Sequence, residues 1–105
     1  MYYIGVDIGG TSIKVGVVDK LGTILGKQSF KTLTTRTYKE IVQEINHTIT
    51  SLIDSLNIKK EELRAIGVGS PGCVDSHTGT IIYASNLNWE NVPLGEELTQ
   101  LTGLP

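Results

Sequence analysis

A chain of 105 residues, 39% hydrophobic and 19% charged, suits one modest globular core. Its net charge of −2 gives no basic field to recommend nucleic acid as a partner, and no apolar run approaches the ~20 residues of a membrane span. One cysteine, Cys73, excludes an internal disulfide and a multi-cysteine metal site, and Met1-Tyr2-Tyr3-Ile4 enters a strand without the basic and apolar regions of a signal peptide, so the expected setting is the cytoplasm.

Tyr3 to Ile8 alternates like a strand, with Ile4, Val6 and Ile8 on one face. Ser12 to Val18 alternates again through Ile13, Val15 and Val17. Gly9-Gly10-Thr11 between them reads as hairpin punctuation, its glycines able to take positive φ. Asp19-Lys20-Leu21-Gly22 is a second turn, and Thr23 to Lys31 completes an antiparallel meander of three strands. Gly16 and Gly26 weaken those strands and point to close packing. Thr32 to Arg36 is a polar linker. Thr37 and Glu40 form a capping box for a helix running to about Leu56, whose apolar stripe includes Ile41, Val42, Ile45, Ile49, Leu52 and Ile53. His47 falls off the stripe and belongs on the surface.

Arg64 to Gly69 is a short apolar strand of the buried kind, reached through the helix and therefore able to run parallel to the first. Ser70 to Asp75 is turn chemistry at its carboxyl end, where open α/β sheets bind ligands. Ser76-His77-Thr78-Gly79 is a polar turn, with His77 exposed, and Thr80 to Tyr83 a short strand. Trp89 reads as a core anchor. Pro93 suits the first turn of a final helix with Leu94, Leu98 and Leu101 on one face, and Gly103 suits its stop.

The chemistry concentrates at the first turn. Backbone amides of Gly9 and Gly10, the Thr11 and Ser12 hydroxyls and the Lys14 ammonium are donors for a polyphosphate, and Asp7 is a partner for a hydrated Mg²⁺ on the same phosphates. The plainer alternative is a tight glycine hairpin preceded by an incidental acid. The turn opens a strand rather than a helix, so it is neither of the two common phosphate loops.

Asp7-Ile8-Gly9-Gly10-Thr11 followed by Lys14 resembles the first phosphate motif of the ROK family of sugar kinases and sugar-sensing repressors, within the actin, hexokinase and Hsp70 superfamily. Gly67-Val68-Gly69-Ser70-Pro71-Gly72-Cys73-Val74-Asp75 resembles that family's G-x-G-x-P-G-x-V-D element. Asn86-Leu87-Asn88-Trp89, followed by Val92-Pro93-Leu94, is similar to its N-L-x-W element. These lie in family order and span essentially the whole chain.

The resemblance implies an α/β fold with a ribonuclease H-like, actin-like ATPase core: three antiparallel strands, a crossover helix, a parallel strand, then short strands and a C-terminal helix. Residues 1–105 then correspond to the N-terminal actin-like domain, with the family's second domain absent. The implied activity is that of an ATP-dependent hexose kinase of the glucokinase kind, with ATP, Mg²⁺ and a sugar as partners and no nucleic acid or membrane. Asp7 would hold the metal through its waters, Gly9, Gly10, Thr11 and Lys14 would cradle phosphate, and Pro71, Gly72 and Asn86 would line the sugar side. The family's general-base Asp and its zinc site are expected beyond residue 105, and neither Asp7 nor Asp75 is assigned the base role. The isolated chain is therefore expected to be inactive. An uncovered lobe with apolar surface around Trp89 and the final helix would favour self-association. A repressor of the same family is the alternative, though with the strand starting at residue 3 no winged helix-turn-helix is expected before it. A further alternative is an actin- or Hsp70-like ATPase domain without sugar specificity, against which the Pro71-Gly72 and Asn86 to Trp89 elements speak.

Overall fold

Period-2 alternation on facing strands lets one sheet bury a single apolar face. In the computed structural model, which describes residues 1–70, 72–84, 87 and 89–105, β1 (Tyr2–Ile8) pairs antiparallel with β2 (Ser12–Asp19), and β2 with β3 (Ile24–Lys31). Ile4, Val6 and Ile8 of β1 and Ile13, Val15 and Val17 of β2 are buried on one face. On that face lies α1 (Tyr38–Ser55), which contributes Ile41, Val42, Ile45, Ile49, Leu52 and Ile53. Each such side chain contributes about 1.5–3 kcal/mol when removed from water.

The helix begins where the capping box places it. Glu40 N donates to Thr37 Oγ1 at 3.3 Å, and Thr37 N donates to Glu40 Oε1 at 3.2 Å. A 3-10 turn (Lys60–Glu62) leads into β4 (Leu63–Gly69), which runs parallel to β1 and completes a sheet of order β3-β2-β1-β4. The meander, crossover helix and parallel strand are thus as expected.

Two expectations need correction. Taken from its apolar run as a buried strand, β4 is instead the sheet's edge, and Val68 is 41% exposed. Its outer side is met by the chain end, where Ile66 N donates to Pro105 O at 2.9 Å. The apolar surface expected around Trp89 and the final helix is not made by Trp89, Leu94 or Leu98 themselves. Trp89 is 4% exposed and Leu94 and Leu98 each 3%, whereas among the described residues of this half Val68, Val74, Ile82 and Tyr83 are exposed.

A second antiparallel sheet accounts for that burial. It comprises β5 (Cys73–Asp75), β6 (Thr80–Ala84) and β7 (Trp89–Val92), the short strands expected here, of which the residues themselves locate only β6. At three and four residues, β5 and β7 are too short to show a period. The final helix α2 (Leu94–Thr102) follows Pro93 and stops at Gly103, whose φ of 74° is the left-handed conformation that ends helices.

Candidate functional site

The side chains that do not face α1 build the other face of the same sheet. Asp7 stands opposite Lys14 on β2 and Gly69 on β4, and one pleat back Gly5 lies between Gly16 and Gly67. Three glycines abreast leave a floor of bare backbone. A Cβ on Gly5 or Gly67 would meet nothing within 4 Å, and one on Gly69 would come 3.9 Å from Asp7 Oδ1. The result is an open groove of about 400 Å³, with Asp7 and Lys14 on its walls and Lys27 of β3 beside them. Asp7 and Lys14 are exposed. Among the described residues the ion pair is Arg36 to Glu44, at 2.6 Å, so Asp7 and Lys14 are not bound to each other.

The turn beyond the groove closes through Gly9 N, which donates to Ser12 O at 2.9 Å. Its glycine requirement differs from the expected one. Neither Gly9 nor Gly10 has positive φ. A Cβ at Gly9 would instead lie 2.8 Å from Ser12 O, closer than side chains tolerate. Thr11 is exposed at the tip, and Gly10 and Ser12 are half-buried.

Thr32, which reads in the sequence as one residue of a polar linker, is wholly buried against this turn. Its hydroxyl donates to Gly9 O at 2.7 Å and its amide to Thr11 O at 2.9 Å. A threonine after an edge strand carries no periodic or motif signal, so the sequence gives no sign of it.

Because β1 and β4 are parallel, their carboxyl ends meet, and the pairing of Asp7 with Gly69 brings the two glycine-rich stretches to one end of the sheet. Gly72, at φ 87°, has a structural reason to be glycine. A Cβ there would collide with the Tyr83 carbonyl and come within 3.0 Å of Ala84 Cα. Pro71 and Asn86 lie outside the described residues, whereas Leu87 and Trp89 of the third stretch are core. Asp75 caps its own turn, accepting from His77 N at 3.0 Å, and His47 and His77 are exposed.

One carboxylate beside a turn rich in donors fits an ion that keeps most of its waters. Among the described residues no group of three or more His, Cys, Asp or Glu side chains could grip a metal directly. No helix of the described residues is long and apolar enough to cross a membrane.

Comparison with known proteins gives this geometry its context. Glucokinase from Thermotoga maritima is 39% identical over 101 residues, a match covering 95% of this chain and 30% of the relative. The xylose repressor of Caldicellulosiruptor bescii is 29% identical, covering 97% of this chain and 26% of the repressor. A ROK glucokinase from Streptomyces griseus, solved with glucose and AMPPNP, superposes over 100% of this chain and 31% of its own, at a TM-score of 0.86 and 35% identity. The chain thus spans under a third of the length of these relatives, and it shares the actin-like α/β fold of the ROK sugar kinases. The ROK family model matches residues 3–105, and the chain belongs to the ROK family.

Proposed function

We propose that residues 1–105 are the N-terminal, phosphate-binding domain of an ATP-dependent hexose kinase of the glucokinase kind, acting in carbohydrate metabolism in the cytoplasm. The observation that carries this reading is the Gly9–Ser12 turn beside the Asp7–Lys14 pair, at the mouth of a groove floored by backbone. The 39% identity to a glucokinase and the fold shared with a glucokinase holding glucose and AMPPNP support it.

Phosphoryl transfer is mostly positioning and neutralisation of charge. Lys14, the amides of Gly10 and Thr11 and the Thr11 hydroxyl hold the phosphates of ATP, with Gly9, whose own amide is bound to Ser12 O, shaping the cradle. Asp7 holds Mg²⁺ through its waters, and the ion, when bound, neutralises charge on the transferring group. Pro71, Gly72 and Asn86 line the sugar side. The proton of the attacking sugar hydroxyl is removed by an Asp beyond residue 105, in a strand that continues from the point where Pro105 already meets β4.

The repressor reading draws on the resemblance to repressors of the same family, the xylose repressor among them. A coupled assay on the full-length protein separates the two. ATP-dependent phosphorylation of glucose or another hexose is expected. A protein that binds sugar and operator DNA without transferring phosphate is the repressor instead.

A further inference from the structure

We infer that Thr32 is a positioning residue for the phosphate turn: its hydroxyl and amide engage the carbonyls of Gly9 and Thr11, and the amides of Gly10 and Thr11 are left for the ligand. The inference rests on reading that turn as the phosphate cradle.

A two-residue hairpin loop ordinarily closes with reciprocal bonds between its flanking residues. Here Gly9 N donates to Ser12 O, but Gly9 O is taken by Thr32 Oγ1 at 2.7 Å. Thr32 N takes Thr11 O at 2.9 Å. The carbonyls on either side of Gly10 are thereby engaged from β3's end. Carbonyl oxygens facing a polyanion would repel it, so their orientation decides whether the turn attracts phosphate.

Thr32 is itself braced. Arg36 Nη2 donates to the Thr32 carbonyl at 3.0 Å and the Lys31 carbonyl at 3.2 Å, and Nη1 donates to Glu44 of α1 at 2.6 Å. The guanidinium also lies 6.0 Å from the Phe30 ring centroid. A path of hydrogen bonds thus runs from the core helix through Arg36 and Thr32 to the turn. A flexible glycine turn is held on rigid elements by a residue that never touches the ligand. The wholly buried hydroxyl spends its hydrogen on the Gly9 carbonyl, which a valine of the same volume would leave without that donor.

Steady-state kinetics with ATP–Mg and glucose, on the full-length protein, test this through Thr32→Val and Thr32→Ser. Valine keeps the shape and loses the hydroxyl, whereas serine keeps the hydroxyl and loses the methyl. A positioning role predicts that Thr32→Val raises KM for ATP by about tenfold or more and lowers kcat. KM for glucose should stay within about twofold, and Thr32→Ser should restore ATP binding. A purely packing role predicts the reverse order, with valine the milder change, and that result overturns the inference, as does a wild-type KM for ATP in Thr32→Val. Should Thr32→Val not fold, Thr32→Ala takes its place. A raised KM for ATP in alanine but not in serine supports the inference, and equal values overturn it. A wild-type protein without ATP-dependent turnover removes the phosphate-cradle reading itself, an outcome distinct from either variant result.

Discussion

One sheet has two faces made from alternate residues of the same strands, and they are built to opposite rules. Toward α1, β1 and β2 present Ile4, Val6, Ile8, Ile13, Val15 and Val17, all buried. Away from it, the same strands and β4 present Gly5, Asp7, Lys14, Gly16, Gly67 and Gly69, a glycine floor with one acid and one base at its end. The first face stabilises the fold by filling space and the second leaves space unfilled. Even their glycines differ. At Gly26, whose partner Val17 faces the core, a Cβ would press to 3.1 Å from Leu56 Cδ1 and 3.3 Å from Leu52 Cδ1, while at Gly5 it would meet nothing. A glycine on the packed side admits a neighbour, and a glycine on the open side keeps a surface bare.

The open face is unfinished business for catalysis, and the largest expected effect follows from that. Residues 1–105 alone should give no glucose phosphate above background at millimolar ATP and glucose in a coupled assay. General-base catalysis is worth about 10²–10⁴ in rate, and orientation and closure about 7–11 kcal/mol, and both need the remainder of the protein. Robust turnover by the 105 residues would require a base among Asp7 of this face and Asp75 and His77 at the second sheet.

Next comes damage to the packed face. Ile45, fully buried on α1, changed to Asp should cost about 4 kcal/mol or more, because an unpaired charge enters an apolar interface. Thermal melting at wild-type temperature would show that the two faces are not distinguished as described.

The smallest effects sharpen the contrast by their signs. Gly26→Ala should destabilise by about 1 kcal/mol, since Leu52 and Leu56 must give way. Gly5→Ala should be neutral or stabilising by up to about 1 kcal/mol, because the methyl meets nothing and the unfolded chain loses freedom. Chemical denaturation of the two variants measures both, and equal losses would erase the difference between the faces.

Much of this was legible in the chain. Strict alternation in β1 and β2, the capping box at Thr37 and the helical stripe of α1 are local signals that tertiary structure preserved. The Asp7 to Lys14 stretch was legible for the same reason, since a hairpin brings near neighbours together. What escaped depends on contacts distant in sequence. The exposure of β4 follows from its place at the sheet edge, which its own residues do not encode. The reason for glycine at position 9 is a steric contact with Ser12 O rather than a left-handed conformation. Thr32 lies 23 residues from the carbonyl that its hydroxyl binds.

The central claim is that the Asp7 end of the open face handles the phosphates of ATP and not the sugar. Asp7→Ala in the full-length protein tests it most directly, with kcat from a coupled assay and glucose affinity from calorimetry on the same preparation. The account predicts a fall in kcat of about a hundredfold or more with glucose affinity nearly unchanged. An unchanged kcat would contradict it.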